Sequence, residues 1–153
     1  MFPARRVYRV PLPDAREIVL GERPLVMGIV NVTPDSFAER PAHRTAADAI
    51  DLALRMVDEG ADIIDIGGES TRPGTDPVGV DEEAARVMPV LAALVGRVPV
   101  PLSVDTYKAG IAKRALAEGA SIINDISGLR YDSGLAGEVA GGGGDHVVMH
   151  MRG

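Results

Sequence analysis

The sequence contains no cysteine and no tryptophan, and only 3% of its residues are aromatic. The absence of cysteine excludes disulfide bonds and thiolate metal sites. Because aromatic side chains are so few, the interior must be built from aliphatic ones. Apolar residues make up 46% of the chain, which is typical of a globular protein. At 153 residues the chain is long enough for one domain with a sizeable core.

Positive charge and long apolar runs are also scarce. The formal net charge is −6, Lys108 and Lys113 are the only lysines, and no stripe of basic residues is present. This balance argues against a nucleic-acid partner. No apolar run approaches the ~18 residues of a membrane span, and residues 1–6 lack the apolar core of a signal peptide. We therefore expect a cytoplasmic protein without a nucleic-acid or membrane partner.

The chain alternates regularly between short apolar runs and amphipathic segments. Runs at 5–12 and 16–20 predict a hairpin. The remaining pattern predicts strands at about 25–30, 62–66, 100–104, 121–124 and 146–150, with helices at about 46–59, 81–95, 107–118 and 133–140. Near-continuous apolar strands that alternate with helices predict a parallel sheet covered by helices, the α/β class.

The number of units suggests part of a barrel. A (β/α)8 TIM-type barrel needs eight strands and roughly 250 residues, whereas this chain supplies about five. We therefore predict an N-terminal hairpin over 1–22 and a partial barrel over 23–153. No GxGxxG motif follows the first apolar strand, which weakens a dinucleotide-binding interpretation.

Local signals refine these elements. Thr45 and Asp48 form a predicted N-terminal cap for the first helix, and Gly60 is expected to end it. Thr106 is predicted to cap the third helix. His150 is expected to lie on the buried fifth strand as a core histidine, in preference to a metal ligand.

Polar side chains follow the predicted strands, and in a barrel the carboxyl ends of all strands meet on the face that carries active sites. Asn31 and Asn124 are the only asparagines, and both come at strand ends. Asp105 follows the third strand; a carboxylate beside a carboxamide suits a flat heterocycle with ring N–H and amino groups. Plainer roles stay open for each residue: Asn31 as a turn former, Asp105 as a helix cap and Asp65 as a buried polar core residue.

The loop after the second strand, Glu69-Ser70-Thr71-Arg72-Pro73-Gly74, has a different character. Its arginine can clamp a phosphate bidentately, although most arginines are solvated surface residues. No HExxH motif or dense carboxylate cluster is present. A Mg²⁺ ion would need only one or two protein ligands plus substrate phosphate.

Five segments together resemble the dihydropteroate synthase family, in its order and spacing. They are VMGIVNVTPDSF at 26–37, GADIIDIGGESTRPG at 60–74, SVDTYKAG at 103–110, GASIINDISG at 119–128 and VVMHMRG at 147–153. The resemblance implies a (β/α)8 barrel and a pterin-binding transferase of folate biosynthesis. Such an enzyme joins p-aminobenzoate to 6-hydroxymethyl-7,8-dihydropterin diphosphate and releases pyrophosphate.

The resemblance also implies roles for individual residues. Asn31 matches the family's Mg²⁺ ligand, which makes Mg²⁺ the expected cofactor. Asp105 and Asn124 match residues that hydrogen-bond the pterin ring. The remaining matches are Met149 beneath the pterin, Thr71 as a contact to the pterin substrate or the aminobenzoate, and Asp35, Phe37, Arg72 and Pro73 in the two loops that build the aminobenzoate pocket.

The implied reaction is a substitution at the pterin methylene in which the diphosphate leaves early. Mg²⁺ would neutralise the leaving group, and the loop carboxylate of Asp35 would stabilise a cationic methylene. Asp35 and Arg72 are therefore the expected catalytic residues. We expect small-molecule substrates as partners and a homodimer for the full-length protein.

Two departures from the family pattern affect this interpretation. The first loop usually continues with Ser-Asp-Gly-Gly but reads Ala38-Glu39-Arg40-Pro41 here. The family's later Asp-containing strand, Lys loop and C-terminal Arg-x-His would follow Gly153, so we expect the isolated 153-residue chain to be inactive. Two alternatives stay open: a pterin-binding methyltransferase domain, and a non-catalytic half-barrel fragment.

Overall fold

The computed structural model describes residues 5–33, 45–70 and 76–150. These residues contain seven strands and four helices. They are β1 (Tyr8–Pro11), β2 (Glu17–Leu20), β3 (Met27–Asn31), α1 (Ala46–Asp58), β4 (Ile63–Gly67), α2 (Val80–Leu94), β5 (Leu102–Asp105), α3 (Ala109–Glu118), β6 (Ile122–Asp125), α4 (Leu135–Gly142) and β7 (Asp145–Val148). None of these helices is long and apolar enough to cross a membrane.

The sheet has the order that a barrel requires. Strands β3 to β7 are all parallel, and each pairs with the next one along the chain. From β3 to β7, one helix lies between each strand and the next along the chain. This confirms the predicted alternation of five parallel strands with helices.

The main core lies between the sheet and the helices. Side chains at alternate strand positions, such as Val30, Ile64 and Val104, are fully buried there. Apolar residues recur at helical spacing along α2, and all four residues of this stripe are buried in the same cluster. They are Ala84, Val87, Leu91 and Leu94. The core is therefore aliphatic, as the scarcity of aromatic residues requires.

The hairpin β1–β2 packs at the amino ends of the strands. Leu12 lies in the turn of the hairpin and forms a second small hydrophobic cluster with Ile63 and Ile122. Ile18 and Met27 pack against this cluster. The hairpin therefore covers this end of the sheet, and the carboxyl ends of the strands are left for a binding site. The predicted division of the chain at residue 22 stays a prediction.

The ends of α1 are those that the sequence indicated. The Thr45 hydroxyl accepts a hydrogen bond from the Asp48 N–H and donates one to the Asp48 carboxylate. The helix ends at Asp58, and Gly60 adopts the left-handed backbone with φ of 102°. Both capping predictions for this helix are confirmed.

The predicted cap of α3 is wrong. Helix α3 begins at Ala109, and the Thr106 hydroxyl accepts a hydrogen bond from the Lys108 N–H before the helix starts. The N–H of Ala109 instead donates to the Asp132 carboxylate, 2.8 Å away. A residue 23 positions later in the chain thus caps the helix, a tertiary contact that no local pattern can indicate.

Several polar residues lie inside strands rather than after them. Asn31 ends β3, Asp105 ends β5, and Asn124 and Asp125 belong to β6. The ladder continues through these positions because their backbone groups pair with the neighbouring strand, for example Asn31 with Gly67. The predicted ends of β3, β4, β5 and β6 are therefore each one residue too early.

His150 and the end of α4 also differ from prediction. Strand β7 ends at Val148, because its partner β6 ends at Asp125, and His150 is exposed beyond the strand. Helix α4 continues through Gly142 and ends where Gly143 turns left-handed, with φ of 71°. An interior glycine costs only ~1 kcal/mol relative to alanine, which is too little to stop a helix that packs against α3.

Two leucines of the hairpin should differ in their contribution to stability, because Leu12 is buried in the second cluster and Leu20 belongs to neither cluster. Leu12→Ala should lower the free energy of unfolding by about 2–3 kcal/mol, because Leu12 is 5% exposed and its removal leaves a cavity. Leu20→Ala is the matched control, since Leu20 is 41% exposed, and should cost under about 1 kcal/mol. Urea unfolding measures both variants; equal costs would show that the hairpin does not pack as described.

Candidate active site

A row of residues in register crosses the carboxyl end of the sheet. Asn31 pairs with Gly67, Gly67 with Asp105, Asp105 with Asn124, and Asn124 with Val147. Partners in a parallel register project to the same face, and the alternate residues Val30, Ile66 and Val104 are buried in the helix-facing core. The row therefore projects to the opposite face, the interior of a barrel.

The structure thus brings together three of the residues that the sequence placed at strand ends. Asn31, Asp105 and Asn124 lie on three different strands and are each partly buried. Their predicted placement at one end of the sheet is confirmed, whereas their contacts with a ligand stay a prediction.

Gly67 provides space within this row. A Cβ atom at this position would lie 3.2 Å from the Asn31 Oδ1 and 3.6 Å from the Asp105 Oδ2. A side chain larger than a hydrogen would therefore fill the gap between the two polar groups. The glycine leaves a recess bounded by an amide on one side and a carboxylate on the other.

Asp65 orients one of the two amides. Its carboxylate accepts a hydrogen bond of 3.0 Å from the Asn124 Nδ2. Asp65 is 2% exposed, and burial raises its pKa, while the bond from Asn124 opposes this shift. Because one N–H of the Asn124 amide is used in this way, its carbonyl oxygen and remaining N–H are left for a ligand. Asp65 is therefore a buried support for the row, which agrees with the expectation of a buried polar core residue.

Asp105 lies in an unfavourable environment for a negative charge. Burial raises the pKa of its carboxyl to about 7, and the charges of four acidic neighbours contribute in the same direction. These neighbours are Asp65, Glu83, Asp125 and Glu69. A ligand that brings N–H donors to this carboxylate would relieve the same penalty.

Next to the row lies a buried charge cluster that the sequence did not reveal. Lys108 Nζ forms ion pairs with both Glu69 and Glu83, and the Tyr107 hydroxyl donates to Glu69. Burial disfavours the charged form of Lys108, but its bonds to the two carboxylates outweigh this and raise its pKa. Only the rarity of lysine in the chain could have drawn attention to this residue.

Of the other predicted site residues, only Met149 lies within the described residues. Met149 follows β7 and is 41% exposed at the same end of the sheet; its N–H donates to the Asp125 carbonyl. Five predicted residues lie outside the described residues. They are Asp35, Phe37, Thr71, Arg72 and Pro73.

A metal centre made by the protein alone is absent from the described part of the chain, where no group of three or more His, Cys, Asp or Glu side chains could hold an ion. Asn31 nevertheless presents its side-chain oxygen to the recess. One neutral oxygen fits Mg²⁺ if the remaining ligands are water and substrate phosphate.

Taken together, the fold and the row define a class of protein. A parallel α/β sheet presents hydrogen-bonding side chains from adjacent strands at its carboxyl end, which is where enzymes of this architecture bind small ligands. The donors and acceptors suit a planar, nitrogen-rich ring.

Comparisons with known proteins give the family. The model of the pterin binding enzyme family matches residues 27–153, so the chain belongs to the pterin binding enzymes. It is 50% identical over 131 residues to the dihydropteroate synthase of Bacillus subtilis, covering 86% of this chain and 46% of the relative.

Solved structures show the same relationship. The Yersinia pestis dihydropteroate synthase in complex with a sulfonamide drug is 44% identical with a TM-score of 0.87, over 95% of this chain and 52% of the other. The Burkholderia cenocepacia dihydropteroate synthase complexed with 7,8-dihydropteroate is 47% identical with a TM-score of 0.81, over 95% and 47%. The fold is therefore a partial (β/α)8 barrel, and the chain spans about half the length of the curated relatives it matches.

The raised pKa of Asp105 predicts how stability depends on pH. The folded protein keeps a proton on Asp105 up to about pH 7, whereas the unfolded chain releases it near the ordinary value of 3.8. The folded state therefore binds more protons in this window, and the free energy of unfolding should fall as pH rises through it.

The test is urea unfolding at several pH values between about 4 and 8. Asp105→Asn should flatten the decline and unfold less readily than the parent protein at the alkaline end. Asp81→Asn, at a carboxyl whose side chain is 93% exposed, should leave the profile unchanged. A decline that Asp105→Asn does not flatten relative to the parent protein would contradict the electrostatic assignment.

Proposed function

We propose that this chain forms the pterin-binding part of a dihydropteroate synthase, a transferase that condenses 6-hydroxymethyl-7,8-dihydropterin diphosphate with p-aminobenzoate and releases pyrophosphate. The observation that carries the proposal is the row in which Asn31, Asp105 and Asn124 project to one face at the carboxyl end of the sheet. The names of the similar proteins support it, since one solved relative is described as a complex with dihydropteroate.

The row would bind the pterin through hydrogen bonds of matched polarity. The Asp105 carboxylate accepts from the ring N–H and amino groups, and Asn124 both donates and accepts. Asp65 holds the Asn124 amide in one orientation, so less conformational entropy is lost when the ring binds. Met149, at the same end of the sheet, would contact the face of the ring.

Asn31 would hold Mg²⁺ together with the diphosphate of the substrate. When bound, the ion would neutralise charge on the pyrophosphate leaving group. The Asn31 oxygen and the Asp105 carboxylate border the same recess at Gly67. If Asp105 binds the pterin, the diphosphate end of the substrate would lie toward β3. The protein's own contribution here is to orient the substrate for attack at the methylene carbon.

The residues outside the described ranges would handle the second substrate. By the resemblance, Thr71, Arg72 and Pro73 follow β4, while Asp35 and Phe37 follow β3. Asp35 would stabilise positive charge on the methylene, and Arg72 would engage the aminobenzoate.

The proposed enzyme also needs further strands to close the barrel. Strands β3 and β7 lie at the two sides of the sheet, and they carry the exposed apolar residues Ile29 (56%) and Val148 (50%). Unpaired edges and exposed apolar residues favour the addition of further strands. We propose that the active, homodimeric enzyme combines this chain with such strands.

Substitution of Asp105 should separate pterin binding from loop chemistry. Asp105→Ala should weaken the binding of a pterin by about 10- to 100-fold, because buried donors of the ring would lose their acceptor. Arg72→Ala should leave pterin binding unchanged and should lower turnover. Calorimetry on the full-length protein measures the first effect, with Asp81→Ala as the control at an exposed carboxyl; undiminished affinity in Asp105→Ala would refute the site.

The proposed activity itself is tested by pyrophosphate release with both substrates and Mg²⁺. Full-length protein should turn over, whereas the isolated 153-residue chain should not, since groups that act as a unit lose most of the rate when several are removed. Recovery on addition of the remaining strands, with sedimentation to establish the assembly, would support a split barrel. A full-length protein that binds pterin but releases no pyrophosphate would favour a non-catalytic or methyltransferase role.

A further inference from the structure

The buried charge cluster beside the row consists of Glu69, Glu83, Lys108 and Tyr107. The side chains of Lys108, Glu69 and Glu83 are 7%, 10% and 1% exposed. A buried ion network is a poor source of stability, because desolvation of the charges offsets their attraction and apolar replacements are often as stable. The cluster does, however, constrain the chain segments that it joins.

The cluster joins three separate segments at the carboxyl end of the sheet. Glu69 comes two residues after the end of β4, Glu83 lies in the first turn of α2, and Lys108 immediately precedes α3. One ammonium group bonds both carboxylates. The end of β4 is thereby tied to the helices on either side of β5.

Glu69 also connects the two ends of the segment between β4 and α2. Its carboxylate accepts a hydrogen bond of 3.3 Å from the N–H of Val78, nine residues further along the chain. The Tyr107 hydroxyl donates to the other carboxylate oxygen. A single side chain thus joins the two ends of this segment, one just after β4 and the other just before α2.

Contacts at Gly68 restrict the same point further. The Arg86 guanidinium donates a hydrogen bond of 2.8 Å to the Gly68 carbonyl. A Cβ at Gly68 would lie 2.7 Å from the Val87 Cγ2 and 3.0 Å from the Glu83 Cγ, so only glycine permits this approach to α2. The backbone at Gly68 is therefore held against α2, and the side chain of the next residue, Glu69, is bonded to Lys108.

We propose that Lys108, acting through Glu69 and Glu83, is a positioning residue for the use of the second substrate, the aminobenzoate. The inference rests on the proposed function, which assigns Thr71, Arg72 and Pro73 to that substrate. The pterin-binding row is held in place by ladder hydrogen bonds within the sheet, so the cluster reaches it only through the charges of Glu69 and Glu83, which raise the pKa of Asp105. Loss of the cluster should therefore impair the use of aminobenzoate much more than the binding of the pterin.

The principal test is Lys108→Met in the full-length protein, with Lys113→Met as the matched control. Lys113 is the only other lysine, and its side chain is 69% exposed in a 3.5 Å pair with Glu138. Lys108→Met should reduce kcat/KM for aminobenzoate by about 10- to 100-fold, as expected when a reacting group is displaced by roughly an ångström. The Kd for a pterin should change much less than kcat/KM for aminobenzoate, and only through the charges of Glu69 and Glu83 near Asp105. Lys113→Met should change neither quantity.

Two milder variants address the risk that Lys108→Met does not fold. Tyr107→Phe removes only the hydroxyl that bonds Glu69, and Glu69→Gln keeps the shape of the side chain but weakens its bond to Lys108. Both should raise the KM for aminobenzoate by about 3- to 10-fold without loss of pterin affinity. A Lys108→Arg variant keeps the charge and should recover more of kcat/KM than Lys108→Met.

Hydrogen exchange gives a readout that does not depend on activity. Peptides covering 68–70 and 76–80 should exchange faster in Lys108→Met than in Lys113→Met, while peptides covering β5 and β6 should not. Unchanged exchange would overturn the inference whatever the activity. Equal losses for both substrates would also overturn it, because that result indicates general destabilisation. Absence of turnover in the parent protein, with the local exchange effect present, would refute the proposed function but not the positioning of this segment.

Discussion

The parallel register of β3 to β7 is the constraint on which the rest of the structure depends. Neighbouring strands align residue for residue, so side chains alternate in common between the helix-facing core and the barrel interior. Asn31, Asp105 and Asn124 share one row only because each occupies the same phase of this alternation. A slip of one residue in any strand would send its polar group into the aliphatic core.

The same end of the sheet contains two kinds of buried polar group. In the binding row, the Asn31 amide oxygen and the Asp105 carboxylate face a recess that Gly67 keeps open. Burial makes a negative charge unfavourable there and raises the pKa of Asp105. In the adjacent cluster, Glu69 and Glu83 share the ammonium of Lys108 and are thereby compensated. The first arrangement suits a ligand that supplies hydrogen-bond donors, whereas the second holds the protein's own backbone in place.

Sequence reasoning succeeded where the cause is local or periodic. The capping of α1 by Thr45 and Asp48 follows from side-chain chemistry within one turn, and the stripe of α2 follows from helical periodicity. It failed where a distant residue intervenes. Asp132 rather than Thr106 caps α3. Glu83 lies in the first turn of α2, where acidic residues are common and usually exposed, but here it is buried in an ion pair with Lys108.

The sequence by itself determined the number of β/α units, the aliphatic core, the polar residues at strand ends and the resemblance that points to pterin chemistry. These properties depend on residue type, on period and on motif, all of which are visible along one dimension. Only the tertiary structure decided that Gly67 separates Asn31 from Asp105, that Asp65 orients Asn124, and that Lys108 joins two glutamates. Those relations connect residues tens of positions apart, and they exist only once the strands have paired in register.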